Sequence, residues 1–270
     1  MTGGAAAGLR YAEDGGANNN LNDTVVDVEI DFNIVASGVS DSGIAFGASV
    51  DLDAAQNDQL QAVGGGANDP EVYISTNGLS VTFGGIGTQN LEGIADVGYQ
   101  GTGADDNITM TDTGAYDVNL AYSMSGLGFG VFYSSDSEDA AVSVTGTAGT
   151  VGFGLGYTSI EGGSDFTELT LATSMGGVDF DFAFVDENAT VAANDPTAFG
   201  LSASYTMGSM TYIVAMSDTS TTNQDPNFGI GFPNNLGGGL TFAGGVTSVG
   251  ATTANSDATT RADLGFNMAF

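Results

Sequence analysis

The sequence contains no cysteine, histidine, lysine or tryptophan, and its only two cations are Arg10 and Arg261. Without cysteine there are no disulfide bonds and no thiolate metal sites. Without histidine and lysine there are no Ser-His or Cys-His nucleophile pairs and no Schiff-base lysines. Paired carboxylates are the catalytic groups that remain, and among 33 acidic residues a close pair carries no information. We therefore expect that this protein is not an enzyme.

Long hydrophobic segments and a leader sequence are also missing. No apolar run is long enough to form a membrane-spanning helix. The first residues lack the cationic and apolar regions of a secretory signal, so we expect that any signal has been removed or was never part of this chain. With 43 glycines, only four prolines and few amphipathic helical patterns, the chain favours many short strands.

Acidic residues dominate the charge. They outnumber the arginines 33 to two, and the formal net charge at pH 7 is -31. Nucleic acid is excluded as a partner because phosphate binding needs clustered cations. A charge of this size repels itself at low ionic strength, which indicates a saline medium or bound divalent cations.

Alternation of apolar and polar residues is the strongest structural signal. It is clearest in residues 24–34 and in residues 262–270, where the chain ends on Phe270. Period-2 alternation indicates a strand with one apolar face. An exposed terminal strand of this kind would aggregate, whereas a closed barrel pairs it with the first strand. Sixteen such segments predict an all-β fold, a 16-stranded antiparallel transmembrane β-barrel that spans residues 1–270.

The connections between these strands fall into two kinds. Asn77-Gly78 and Ser125-Gly126 predict two-residue turns, and residues 233–238 predict another short connection. The connections at 186–196 and 217–226 are longer and polar. Short turns at one end and long loops at the other are typical of barrels in the bacterial outer membrane, with the turns in the periplasm.

Aromatic residues near the strand ends predict two membrane girdles, because amphipathic rings settle at membrane interfaces. The alternative is that tyrosine is simply common in strands, since aromatic residues have high β-propensity. The outer ends would contribute Tyr11, Tyr133 and Tyr157, the inner ends Tyr122, Tyr205 and Tyr212, and the terminal Phe270 completes the girdle residues.

One connection is much longer than the others. Residues 84–113 contain no clear strand, which far exceeds the usual loop length. In a barrel wide enough to hold water, the inner wall offers the surface on which such a loop can fold. We expect this loop to enter the lumen and to narrow the channel.

Several segments resemble the trimeric general porins of alphaproteobacteria of the Rhodobacter type. Residues 71–84 resemble a hairpin of that family, 96–100 resemble part of its third loop, and 8–14 and 118–126 resemble two of its strands. The resemblance implies an outer-membrane homotrimer through which small hydrophilic solutes and ions diffuse passively. It also implies a third loop whose acidic residues face arginines on the barrel wall.

Carried onto this chain, the resemblance identifies four acidic residues of the long loop as the pore constriction. The dense arginine cluster of the family cannot exist here, because this chain has two arginines. Closure makes the first and last strands neighbours, so we expect Arg10 and Arg261 to lie near one another on the lumen wall. The constriction candidates are Glu92, Asp96, Asp105 and Asp106.

Acidic residues on the polar faces of the strands are expected to line the lumen. One interpretation is a solvated polar wall without further function. The other is a negative lumen that concentrates cations and excludes anions, which predicts a cation-selective channel. The wall residues, with the two arginines, are Arg10, Asp27, Glu29, Asp31, Asp51, Asp53, Asp117, Asp179, Asp181, Arg261 and Asp263.

Calcium is a further expectation, although no cofactor is required. Asp105, Asp106 and Asn107 could supply the hard oxygen ligands that Ca²⁺ prefers. A chain without lysine cannot neutralise lipopolysaccharide phosphates by lysine ion pairs, so divalent cations would bridge its acids to them.

Two other classes compete with a channel. An acidic, calcium-dependent surface or adhesin protein with a parallel β-helix shares the enrichment in Gly, Asp and Asn, but the Gly-Gly-x-Gly-x-Asp repeat is absent. An outer-membrane barrel enzyme would lack its usual nucleophile activation, because there is no histidine. The lipid bilayer, lipopolysaccharide, cations and small solutes are therefore the expected partners.

Overall fold

A computed structural model describes most of the chain. The described residues are 2–13, 24–56, 62–86, 91, 93–106, 108, 116–189, 195–221, 224–252 and 257–270, with backbone alone for 53–56 and 62–69. The described regular structure consists of sixteen β-strands. Among these residues, no helix has the length and apolar character needed to cross a membrane.

The strands range from seven to sixteen residues. Their bounds are β1 Thr2–Ala12, β2 Thr24–Val39, β3 Ala45–Gln56, β4 Ala62–Thr76, β5 Leu79–Ile86, β6 Tyr116–Met124, β7 Leu127–Tyr133, β8 Ala140–Ala148, β9 Val151–Ser159, β10 Asp165–Met175, β11 Val178–Asn188, β12 Thr197–Met207, β13 Met210–Thr219, β14 Asn227–Gly237, β15 Leu240–Val249 and β16 Thr259–Ala269.

The strands form one closed antiparallel barrel in which each strand pairs with the next and β16 returns to β1. Leu9 lies opposite Leu264 at this seam, and the Gly3 N–H donates to the Phe270 carbonyl at 2.8 Å. Closure leaves the terminal strand with a partner on both sides. The predicted fold class is confirmed, and the parallel β-helix is wrong because the pairings are antiparallel.

The two faces of the wall differ in chemistry. On β2, Val26 is 59% exposed and Ile30 is 39% exposed on the outer face, whereas the intervening Asp27 is buried on the inner face. The same alternation places Leu264 and Phe266 outside and Asp263 inside. An apolar outer face and a polar inner face suit a barrel surrounded by lipid and filled with water.

The two ends of the barrel also differ, as predicted. Asn77 and Gly78 have φ values of 48° and 81°, the left-handed pair that a two-residue type I′ turn requires. Turns of this kind and both chain termini lie at one end, while the longer connections lie at the other. β11 and β13 extend into the connections expected at 186–196 and 217–226, which are shorter than predicted.

The connection expected at 233–238 is wrong. Pro233 lies within β14 and opposite Ala243 of β15, and the chain turns only after Gly237. Proline lacks an N–H, so it is tolerated where ladder pairing is interrupted. The pairing of β13 with β14 skips from Gly231 to Asn234, which spares Pro233 from donating to that neighbour.

Candidate functional site

The segment between β5 and β6 follows the inner face of the barrel. We call its described residues 91, 93–106 and 108 the inner loop. The loop contacts polar side chains that alternate with the lipid-facing apolar residues, so it lies on the lumen side of the wall. Its contacts run from β9 through β16 to β1 and β2, which we call the loop-bearing wall; β3–β8 form the open wall.

Wall hydroxyl and amide groups hold both limbs of the inner loop. The outgoing limb leads from β5 to the tip at residues 98–101, and the returning limb leads from the tip towards β6. On the outgoing limb, the Ala95 N–H donates to Ser202 Oγ at 2.9 Å, and Ser202 in turn donates to Asp181 Oδ2 at 3.0 Å. On the returning limb, Ser217 Oγ donates to the Ala104 carbonyl at 2.6 Å and Asn227 Nδ2 donates to the Gly103 carbonyl at 2.9 Å. These bonds satisfy loop backbone groups that would otherwise be buried without partners.

The tip of the inner loop meets the seam between the first and last strands. The Tyr99 N–H donates to both carboxylate oxygens of Asp263 at 2.9 Å, and the Gln100 N–H donates to Oδ2 at 2.9 Å. Tyr99 Oη donates to Asp27 Oδ2 at 3.1 Å, and Gln100 Nε2 donates to Glu29 Oε2 at 3.0 Å. The tip therefore bridges β16 and β2 across β1.

Packing supports these bonds. Val97 and Ala104 are fully buried between the loop and the wall. A Cβ placed on any of several inward-facing glycines would overlap with loop atoms or, at Gly231, press tightly against them, so their small size lets the loop approach the strands closely. These wall glycines are Gly8, Gly154, Gly200, Gly229, Gly231, Gly245 and Gly265.

Carboxylates of the inner loop repel one another. Desolvation in the lumen, followed by repulsion from Asp105, raises the pKa of Asp96 to about 6, against a hydrogen bond from the Val97 N–H. Desolvation and the neighbouring Asp106 also raise the pKa of Asp105. Burial and Asp27 raise the pKa of Tyr99, so its hydroxyl stays protonated. The ionised loop is therefore a region of concentrated negative charge.

Both arginines lie on the loop-bearing wall. Arg10 is opposite Asp263 and Arg261 is opposite Ala12, which places the two arginines diagonally across the β1–β16 pair. Arg261 Nη1 lies 2.7 Å from Asp106 Oδ2, and Arg10 Nη1 lies 3.9 Å from Asp27 Oδ2. Each arginine thus faces a carboxylate on its own side of the lumen.

The other predicted residues are spread over the wall. Asp31 lies opposite Gly4, Asp51 opposite Asn33, and Asp53 opposite Asp31 by backbone register. Asp117 accepts hydrogen bonds from Ser135 at the end with the longer loops, and Asp179 accepts one from Ser174 at the turn end. The structure brings Asp27, Glu29, Asp181 and Asp263 to the inner loop, directly or through Ser202.

Glu92 and Asn107 lie outside the described residues. Asp105 and Asp106 are adjacent in the inner loop, but within the described chain no three or more acidic groups converge as a metal site. The predicted girdle residues Tyr122, Tyr133, Tyr157, Tyr205, Tyr212 and Phe270 are exposed, while Tyr11 is half-buried at the end of β1.

Most of the residues that hold the loop do not stand out in the sequence. They carry no charge at neutral pH, so a search for acidic residues does not find them. These residues are Tyr99, Gln100, Ser202, Ser217 and Asn227. The available signal was the recurrence of glycine and hydroxyl residues at inward positions of β12–β16. Such positions make room for a second layer of chain against the wall.

Together, the closed barrel, its apolar outer face and its loop-lined polar interior define a transmembrane β-barrel channel. The model of the Gram-negative porin family matches residues 1–265, and the chain belongs to that family. It is thus an outer-membrane porin, in agreement with the family resemblance and localisation predicted from the sequence.

Individual relatives agree with this assignment. A porin of Fuscovulum blasticum is 26% identical over 294 aligned residues, which cover 95% of this chain and 96% of that protein. A porin of Rhodobacter capsulatus is 29% identical over 87% of this chain and 90% of its own length. A solved variant of the Rh. blastica porin shares the fold with a TM-score of 0.81 and 23% identity, covering 100% of this chain and 99% of the other.

Proposed function

We propose that this porin is a cation-preferring diffusion channel for small hydrophilic solutes, without a catalytic role. The observation that carries the proposal is the distribution of charge around the inner loop. Asp96, Asp105 and Asp106 lie on the inner loop, and the open wall contributes no lysine or arginine because the chain's two cations are on β1 and β16. A pore lined mainly by carboxylates favours cations.

The inner loop is the proposed narrowest point. It forms a second layer inside the wall, and its tip is fixed by Asp263, so it takes up lumen cross-section at a constant position. Arg261 offsets part of the charge of Asp106. Asp96 and Asp105 have no comparable arginine partner among the described contacts, and they would dominate the field that a solute meets.

A comparison of the uptake rates of amino acids of similar size tests this function. We expect proteoliposomes that contain the porin to admit lysine faster than glutamine, and glutamine faster than glutamate, because the charges of the lumen attract the first and repel the last. Sucrose-loaded vesicles without protein give the background. Equal rates for lysine and glutamate at low salt would contradict a cation preference, and exclusion of all three would contradict a diffusion channel.

We also propose that the porin assembles as a trimer through the outer face around β1. This face carries Gly3, Ala5 and Ala7, and such small side chains allow another apolar surface to approach closely. Ala5→Trp should convert the trimer to monomers in cross-linking experiments. Ala203→Trp on the outer face of β12 is the matched control and should leave the trimer intact, whereas equal loss in both variants would contradict the assignment.

Calcium at Asp105 and Asp106, and divalent bridges to lipopolysaccharide phosphates, remain proposals. Adjacent carboxylates supply oxygen ligands of the kind that Ca²⁺ uses, and Ca²⁺ bound at Asp106 would displace the Arg261 guanidinium from it. Millimolar calcium should reduce the potassium current of the wild-type channel more than that of Asp105→Asn. An equal reduction would contradict this site, and loss of lipopolysaccharide binding on chelation of divalent ions would support the bridges.

A further inference from the structure

We propose that Asp263 is the positioning residue that fixes the tip of the inner loop and thereby sets the width of the channel. From the sequence alone, Asp263 is predicted to be one of the acids that give the lumen its charge. Its environment differs from that of a solvated wall acid, because the residue is only 7% exposed. This inference rests on the constriction role proposed above and assigns that role to a particular contact.

The contact is specific in geometry. The carboxylate accepts the Tyr99 N–H with both oxygens and the Gln100 N–H with one, each at 2.9 Å. Successive N–H groups that converge on one anion form a backbone nest, and hydrogen bonds to an ionised acceptor are the stronger ones. Asparagine has the same shape, but it replaces one acceptor oxygen with an NH₂ donor, which would face a loop N–H.

The shape of the loop is adapted to this acid. Gly98, directly before Tyr99, has φ of +111°, and a Cβ on it would overlap with the Asp263 carboxylate. On the far side of the tip, Asn267 Nδ2 donates to the Tyr99 carbonyl at 3.1 Å. β16 thus holds Tyr99 at both its N–H and its carbonyl, and Asp263 supplies the charged part of this attachment.

The position of Asp263 explains why one residue can control the tip. It lies on the last strand and opposite Arg10 of the first strand, where the barrel closes. The loop limbs are held separately by Ser202, Ser217 and Asn227. The tip also keeps the bonds from Tyr99 Oη to Asp27, from Gln100 Nε2 to Glu29 and from Asn267 Nδ2 to the Tyr99 carbonyl. Loss of the Asp263 contact should therefore loosen the tip and give brief openings to a wider state, rather than free the loop.

Single-channel recording of Asp263→Asn tests the proposal. We expect brief excursions to higher conductance, with the undocked fraction of time raised about tenfold, as loss of a charged hydrogen bond implies. Asp51→Asn is the matched control. It removes the same charge from the wall at β3, where no contact with the inner loop is described, and it should keep a quiet current. Equal noise in the two variants would overturn the proposal.

A second variant approaches the contact from the loop. Gly98→Ala retains Asp263 and its charge, but it should force the tip away and produce the same excursions. This variant keeps the test available if Asp263→Asn does not fold, which is judged by heat-modifiable migration in detergent gels. A quiet Gly98→Ala channel would contradict the proposal.

A disulfide cross-link between the inner loop and the wall should restore the wild-type current in the Asp263→Asn variant. Thr102 Oγ1 and Thr247 Oγ1 are in hydrogen-bond contact between the loop and β15, and the chain has no native cysteine. Adding Thr102→Cys and Thr247→Cys to Asp263→Asn should restore a quiet current under oxidising conditions and lose it on reduction. Excursions that persist in the cross-linked protein would show that another element moves, and would overturn the assignment.

The failure of this inference is distinguishable from the failure of the constriction role. The Thr102 N–H donates to the Val97 carbonyl at 2.9 Å, so Gly98–Gly101 can be excised and the ends joined. If this tip-excised variant conducts like the wild type, the constriction role is wrong. If it conducts more and Asp263→Asn stays quiet, Asp263 alone has been assigned wrongly.

Discussion

The loop-bearing wall and the open wall use the same barrel architecture for different purposes. On the loop-bearing wall, inward residues such as Ser217, Asn227 and Asp263 are occupied with the inner loop, and both arginines face carboxylates on that side. On the open wall, inward residues such as Thr82 and Asn119 lie opposite one another on β5 and β6. The loop-bearing wall holds the inner loop in place. The open wall, which faces that loop, carries no arginine or lysine.

The charge of the pore depends on where its cations lie relative to its acids. A field across a lumen requires cations on the wall that faces the acids. Here the Arg10 and Arg261 side chains are 45% and 43% exposed, and they pair with Asp27 of the wall and Asp106 of the inner loop. Both arginines therefore neutralise acids on their own side of the lumen and do not face the loop from across it. The excess of carboxylates over cations therefore acts in one direction, toward attraction of cations.

Excision of the loop tip should produce the largest effect. Removing Gly98–Gly101 takes Tyr99 and Gln100 out of the lumen, so we expect conductance in planar bilayers to rise by roughly twofold, since the narrowest radius limits ion flow. Removal of a surface turn of similar size, such as residues 135–138, should leave conductance unchanged. If the tip-excised channel conducted like the wild type, the inner loop would not be the constriction, and the two walls would not differ in this role.

Cations placed on the open wall should produce the next largest effect. Thr82→Arg combined with Asn119→Arg places two positive charges opposite the loop carboxylates. We expect the potassium-to-chloride permeability ratio to fall by about threefold or more, because the field becomes transverse and the net charge smaller. The pair Thr82→Gln and Asn119→Gln adds side chains without charge, and if it lowered the ratio equally, steric narrowing would explain the result.

Protonation of Asp96 predicts a moderate effect of pH. Its pKa of about 6 means that it is ionised at pH 7 and neutral at pH 5, so the loop loses negative charge as the pH falls through 6. The groups around it are Asp105, Asp106 and Asp263, and their repulsion contributes to the shift. Cation preference measured from reversal potentials should decrease between pH 7 and pH 5, and Asp96→Asn should flatten this step. A step of equal size in Asp96→Asn would assign the titration to another group.

Removal of Arg261 should have the smallest effect. Arg261→Gln frees Asp106 from an exposed ion pair, and such pairs contribute about 1 kcal/mol or less to stability. Thermal unfolding in detergent should change little, while cation preference should increase slightly because one positive charge is lost. A large loss of folded barrel would show that Arg261 supports the seam in a way that this contact does not explain.

Much of the barrel follows from local sequence. Period-2 alternation identified the strands, and Asn77-Gly78 identified its turn because few residues tolerate positive φ. Closure also brought Arg10 beside Arg261, since the first and last strands must pair. Local signals failed at Pro233, whose place in β14 depends on an interruption in a neighbouring ladder.

The candidate site was harder to predict than the fold. Acidic residues of the long loop indicated a charged constriction, but the partners of Tyr99 and Gln100 lie more than 70 residues away in sequence. Which strand the loop reaches depends on its path through the lumen, and no local pattern encodes that path. Tyr116 shows the same limit: its place in the alternation suggests lipid, yet it is buried against Phe132.

The reversal potential of the wild-type channel in a potassium chloride gradient measures the preference of the lumen for cations. With 0.1 M salt on the dilute side, the Debye length is about 10 Å and the lumen charges act at full range. We expect a potential with the sign that potassium selectivity gives, which shrinks as both solutions approach 1 M, where the Debye length is about 3 Å. A potential near zero at low salt, or one with the sign of chloride selectivity, would contradict it.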